Sequence, residues 1–260
     1  MAATHLLGHA GSRAGLRGLR PLLISEARLM RRNPMLVVWV GVLPVVAAVV
    51  LGAIPATREP QAYLDGNSWF AVYQPILVMF SSVMLSVQIL PDTLTRYRER
   101  GILKRLRTTP ATPAALLIAQ VILTFAVEIA VVVLIVVMPG IVGAPVPRNL
   151  LGFAIAVVFS AAAMISLGMM IAAVFANNKV AAAAGTVLFF VLQFFAGLWW
   201  PRQSMPEWLR AISDATPSGA SVAALTDSAQ GGWPSWTYLL TLLAWSVVLG
   251  ALSVRFFRWE

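Results

Sequence analysis

The sequence predicts an all-α polytopic membrane protein with six transmembrane helices. Three observations carry that prediction. The chain has 260 residues, of which 59% are hydrophobic and only 11% charged, whereas soluble domains carry about 25% charged residues. Its apolar residues fall into six runs, at 35–54, 68–90, 114–138, 150–175, 180–199 and 236–254. Each approaches or exceeds the roughly 20 residues needed to cross a hydrocarbon core about 30 Å thick. The basic residues sort between alternate loops. Six precede the first run, six lie between 96 and 107, one is Lys179 and two follow the sixth run, while Arg58, Arg148, Arg202 and Arg210 fall on the other side. Basic loops stay in the cytoplasm, so both termini are expected there. A backbone in lipid must satisfy its own hydrogen bonds, which favours helices, and the alternation of a barrel strand is missing.

Residues 1–15 are rich in Gly, Ala and Ser and are expected to be mobile. No apolar run precedes residue 35, because Arg13, Arg17 and Arg20 interrupt it, so no cleaved signal peptide is expected. Across 16–33, Arg17, Arg20, Arg28 and Arg31 share one helical face, and Leu19, Leu22, Leu23, Leu29 and Met30 share the other. This predicts an interfacial amphipathic helix with its arginines towards anionic lipid headgroups. Glu26 lies on the apolar side, where it either reaches an arginine one turn away or meets a partner. Asn33-Pro34 then turns the chain into a single six-span domain, 34–260.

Within the spans, polar residues are few. Gln74 sits in the second, Glu128 in the third and Gln193 in the fifth. Glu128 is the sole acid deep in a span, and such acids usually face a cavity or a partner. It either meets a cationic substrate or pairs with a group such as Gln120 or Gln193. These three residues mark the expected substrate path. After the fifth span, Ser204 and Glu207 read as a capping box with Pro206 in the first turn. Met205, Trp208, Leu209 and Ile212 follow at helical spacing, predicting a short outer helix that lies in the interface or re-enters the protein.

The chain contains no cysteine, which excludes disulfides and thiolate metal sites. Its two histidines, His5 and His9, stand in the N-terminal segment, and no metal-ligand cluster or catalytic carboxylate pair is evident. The net charge of +9 is accounted for by membrane orientation, not by nucleic-acid binding. The two lysines, Lys104 and Lys179, are followed by Arg105 and Val180, so neither fits a phosphate-binding P-loop, which needs Ser or Thr there.

One charged segment stands apart. Residues 96–110 read RYRERGILKRLRTTP. Ile102, Leu103 and Leu106 give a small apolar face, ringed by Arg98, Arg100, Lys104, Arg105 and Arg107. Gly101 permits a sharp bend, and Thr-Pro pairs at 109–110 and 112–113 prepare the next span. The segment is either a helix that seats in a groove on a partner or simply a basic loop that orients the chain.

The run RERGILKRLRTTP resembles the cytoplasmic coupling loop of type-2 ABC exporter permeases. The run FFAGLWWPRQSMPEWLRAISDATPSGASVAAL resembles the outer segment of the same family. Within that family the chain resembles the daunorubicin-resistance-type drug-export permeases. The resemblance implies a non-enzymatic transmembrane subunit in a bacterial cytoplasmic membrane. It implies a dimer, either with a second copy or with a homologous permease, driven by a cytosolic ABC ATPase that binds ATP and Mg. It assigns ATPase coupling to Arg98, Arg100, Gly101, Ile102, Leu103, Lys104, Leu106 and Arg107, and the outer re-entrant helix to Met205, Pro206, Trp208 and Leu209. The function implied is export of a hydrophobic or amphipathic substrate such as a drug, antibiotic or lipid. The alternative is an ATP-independent carrier or channel, which would leave the basic segment unexplained.

Overall fold

A computed structural model describes residues 18–102 and 112–256. Among them are nine helices of eight residues or more and no strand. Helix α1 is Leu19–Arg31. Six helices are long and apolar enough to cross a membrane: α2 (Leu36–Ala53), α3 (Trp69–Glu99), α4 (Pro113–Ile141), α5 (Leu150–Val174), α6 (Asn178–Ala196) and α9 (Trp236–Phe256). Between α6 and α9 lie α7 (Glu207–Ala215) and α8 (Pro217–Ala229). The helices alternate in direction. One end of the bundle therefore carries α1, the end of α3 and the α5–α6 turn. It is called the basic end below. The other, the loop end, carries α7 and α8.

Short polar side chains start these helices. The Ser68, Thr112 and Asn149 side chains accept hydrogen bonds from the backbone N–H groups of Ala71, Ala115 and Gly152. Asn177 and Thr216 do the same for Val180 and Gly219. Each bond satisfies a donor that the first helical turn leaves open.

Helix α3 is the axis of the bundle. About 89% of its most apolar window is buried, against 22–50% for the other five spans, and it packs on α2, α4, α5, α6 and α8. Two of the long helices contain a widened π turn, Leu36–Val42 in α2 and Met84–Ile89 in α3. Both have a proline just beyond, Pro44 and Pro91. Proline lacks an N–H and its ring collides with the carbonyl four residues earlier, so the helix widens there. In α2 the carbonyl affected is that of Val40, and Ser81 Oγ of α3 donates to it at 3.0 Å. The π turn of α3 is gripped from two sides by glycines. A Cβ on Gly168 of α5 would lie 1.8 Å from the Ser86 carbonyl oxygen, and one on Gly185 of α6 would lie 2.7 Å from that of Val87. No side chain larger than hydrogen fits between these backbones.

The second run extends further than its apolar stretch. Helix α3 continues through Pro91 to Glu99, because the proline stands in the first turn after the π segment, where its missing N–H costs least. Between the long helices, Arg58 crosslinks the loop end. Its guanidinium donates to the carbonyls of Gly52, Val142 and Gly143, at 2.6, 2.6 and 3.0 Å.

Candidate functional site: the basic end and the polar seam

Helix α3 ends at Glu99, and Gly101 adopts a left-handed conformation with φ +66°. That sign of φ is inexpensive only for glycine, so the sharp bend expected there is present. Arg98 donates to the Phe175 carbonyl at 3.2 Å, at the end of α5. Glu99 accepts the backbone N–H of Asn178 at 2.7 Å, and the Asn178 amide donates to Asp92 and Thr95. The α5–α6 turn is thus bolted to the last two turns of α3. Arg100 is exposed and Ile102 is half-buried. Leu103, Lys104, Leu106 and Arg107 lie outside the described residues, as do residues 1–15 and the Thr109-Pro110 pair.

Glu26 does not reach an arginine, nor does it point towards an outside partner. It is 6% exposed. Its Oε2 accepts from the Tyr97 hydroxyl at 2.7 Å and from Gln120 Nε2 at 2.6 Å. Those donors belong to α3 and α4, the helices on either side of the bend at Gly101. Helix α1 rests on α4 by its apolar side, through Leu22 near Leu116 and Met30 against the main core, so the acid beneath it meets the bundle and not headgroups. A sequence signal did exist, the placement of Glu26 on the apolar face. What it lacked was the register of α1 against Tyr97 and Gln120.

Burial raises the Glu26 carboxyl above its usual range, against the two hydrogen bonds that lower it. A carboxyl raised by folding holds its proton better in the native state than in the unfolded one. Its contribution to stability is complete below the ordinary range and is lost as pH rises through the raised value. Stability should therefore fall over a window beginning near pH 4.5, and Glu26→Gln should flatten that slope. Glu26→Leu leaves two buried donors unpaired, at about 1–3 kcal/mol each. A drop in melting temperature for Leu, with near-normal melting for Gln, is the expected pattern. Equal melting of both variants would show that the clasp carries no energy.

A polar seam runs between α3 and α4. Gln74 is buried, and its amide donates to the Ile135 carbonyl at 3.3 Å. Two turns closer to the basic end, Glu128 is 2% exposed and the Ser82 hydroxyl is within its reach. One turn further on, Ser86 and Thr124 continue the same stripe of their helices. Among the described residues, Ser82 Oγ, Ser86 Oγ, Thr124 Oγ1 and Glu128 Oε2 make no well-formed hydrogen bond. Gln193 is buried on α6, and neither of its amide atoms has a partner among the described residues. It does not bond Glu128, and neither does Gln120, whose amide is committed to Glu26. All three residues of the expected path are thus enclosed by this one chain. A pocket of about 430 Å³ opens nearby at the basic end, lined by Asn33, Gln88, Asp92, Arg96 and Thr186. Gln88 bridges to Thr186 across it at 3.3 Å.

The helix expected after the fifth span is present at the loop end as α7, with Leu209 buried and Trp208 66% exposed, and Met205 just before it is buried. The capping box does not form. Pro206 occupies the cap position and Ser204 Oγ turns away to donate to the Tyr63 carbonyl at 3.2 Å. Glu207 instead opens the helix, where its charge suits the dipole. Helix α8 was not anticipated. It is built from small residues and almost wholly buried against α3, α5, α6 and α9. Thr216-Pro217, a cap followed by a proline, was the available signal. Arg202 is also buried, and its guanidinium bonds Ser213 and Asp214 of α7.

These features define a class: a multi-pass α-helical membrane protein whose basic end is braced across five helices. The chain belongs to the ABC-2 type transporter family, whose pattern matches residues 19–229. It is 26% identical over 234 residues to the putative transport permease YvfS of Bacillus subtilis (strain 168), covering 88% of this chain and 93% of that protein. It is 24% identical over 199 residues to the inner membrane transport permease YhhJ of Escherichia coli (strain K12), covering 74% of this chain and 52% of YhhJ. The same figures hold for YhhJ of Shigella flexneri. The chain thus spans about half the length of YhhJ. Its family makes it a transmembrane subunit of an ABC transporter, and implies a separate ATPase component as partner.

Proposed function

We propose that this chain is the permease subunit of an ATP-driven exporter, moving a hydrophobic or amphipathic molecule such as a drug, antibiotic or lipid out of a bacterial cytoplasm or inner leaflet. The permease works as a dimer with a second copy or a homologous permease. ATP and Mg bind the cytosolic ATPase, and the basic end, with both termini, faces the cytoplasm.

One observation carries this reading. The Glu26 carboxylate joins α1, α3 and α4, and it holds α3 at Tyr97, inside the basic segment and one turn before its bend at Gly101. A push on that segment from an ATPase is passed to three helices together. The braces from Arg98, Glu99 and Asn178 extend it to α5 and α6. A carrier working alone has no use for such bracing at one end. The polar pocket beside Gln88 and Arg96 offers an amphipathic molecule a way in. Gln74, Glu128 and Gln193 become reachable only if α3 and its neighbours part during the cycle.

The test lies in the apolar face of the basic segment. Buried apolar anchors contribute about 2 kcal/mol or more each to an interface, while charges on the rim contribute less. Leu103→Asp or Leu106→Asp should abolish copurification with the ATPase, or uncouple hydrolysis from export, without lowering the amount of permease in the membrane. Normal copurification and normal export by both variants would reduce the segment to an orienting loop.

A further inference from the structure

The loop end contains a second polar pocket, of about 370 Å³, that the transport reading does not use. Three separate stretches of chain converge on it: the 65–67 turn, the 202–210 stretch that includes the start of α7, and α8 with the start of α9. Its charged groups are unequally occupied. Arg202 is consumed by Ser213 and Asp214. Arg210 meets Asp65 only loosely, at 4.0 Å, and among the described residues its buried Nε has no acceptor and the buried Gln203 Oε1 no donor. The Asp227 carboxylate accepts one backbone N–H, from Ser235 at 3.2 Å, and has no ion pair among the described residues.

The pocket therefore offers one spare cationic donor, one spare amide acceptor and one spare carboxylate. The complement is a small group with an anion at one side and an N–H-bearing cation at the other. Its surroundings say where that group comes from. Trp199, Trp200, Trp208, Trp233 and Trp236 are all exposed and all belong to this end of the bundle. Exposed tryptophans gather at the depth of lipid headgroups.

We propose that this pocket binds the headgroup of a zwitterionic phospholipid carrying a primary ammonium, with the phosphate at Arg210 and the ammonium at Asp227 and Gln203. A primary ammonium donates three hydrogen bonds. A quaternary one donates none, so choline brings its charge but leaves Gln203 Oε1 and the Asp227 carboxylate without a hydrogen-bond donor. A glycerol headgroup brings the phosphate but no cation. Hydrogen bonds to charged groups are the stronger kind. Losing one corresponds to about tenfold in affinity.

The experiment uses the purified full chain in detergent with no ATPase present, so its outcome is independent of the coupling proposed above. Melting temperature is followed while short-chain phosphatidylethanolamine, phosphatidylcholine or phosphatidylglycerol is titrated. Ethanolamine lipid should stabilise the protein at concentrations about tenfold lower than the other two. Arg210→Gln and Asp227→Asn should each remove that preference. Both variants keep a hydrogen-bonding group at a partly exposed position, and melting without lipid checks that each is folded. Equal effects of the ethanolamine and choline lipids, or an undiminished preference in both variants, would overturn the proposal. Water-soluble glycerophosphoethanolamine forms the control arm. If it matched the lipid, the site would take a free solute and the lipid assignment would fall.

Discussion

Gly168→Val is expected to prevent the bundle from closing. A Cβ at this position would stand 1.8 Å from the Ser86 carbonyl oxygen and 2.8 Å from its carbon. The obstacle is backbone, held in the π turn of α3 and gripped on the far side by Gly185. It cannot yield as a flexible side chain would. Overpacking costs about 1–3 kcal/mol and occasionally more. Gly168→Ala should sit at or above the top of that range, and valine beyond it. Gly41→Ala is the control, because its Cβ would meet nothing within 4 Å, and alanine is the better helix former by about 1 kcal/mol. The measurements are the monodisperse fraction after solubilisation and the melting temperature. A Gly168→Ala protein that melted with the parent would mean that α5 and α3 do not approach this closely.

Arg202→Leu is expected to unlock the loop end. The side chain is buried, and it reaches both Ser213 Oγ and the Asp214 carboxylate of α7. Ser213 in turn donates to the Phe195 carbonyl at 2.7 Å, so one guanidinium links the end of α6 to the α7–α8 corner. Removing one member of a buried pair typically costs about 3–5 kcal/mol, because the other is left uncompensated. Asp214 remains partly open to water, which places the expected loss near the lower end. Lysine should rescue poorly, since one ammonium does not reproduce a planar fork that serves two partners. The double variant Arg202→Leu with Asp214→Leu should recover part of the loss. Thermal melting of the parent, Arg202→Leu, Asp214→Leu and the double variant closes the cycle. No recovery in the double variant would show that Arg202 acts through packing alone.

The six spans were legible because their cause is local. A run of about 20 apolar residues has few options in lipid other than a helix, and the distribution of arginines sets an expected orientation without reference to any contact. The family resemblance was legible for the same reason, being carried by two contiguous stretches. The bend at Gly101 and the Thr112 cap were likewise readable from single residues. Helix α8 was less so. Its residues are small and only mildly apolar; what makes them a buried helix is their packing against α3, α5, α6 and α9, while Gly219 lets the α7–α8 corner close, since a Cβ there would fall 2.1 Å from the Ser213 carbonyl oxygen. Small residues earn their meaning from the neighbour they admit.

The sequence by itself determined the class of protein, the number of spans and the place of the basic segment, since each follows from composition and period along one stretch of chain. Tertiary structure alone decided the partners of the polar residues. Glu26 could have met any of several arginines by sequence distance, yet the tilt of α1 on α4 delivers it to Tyr97 and Gln120, 71 and 94 residues away. Glu128 could have met Gln120 or Gln193, yet the antiparallel register of α3 and α4 sets it beside Ser82 instead. In a bilayer an unpaired polar group has no water to fall back on, so its partner is chosen by which helices pack and at what register. That information is shared among helices and is written in no single one of them.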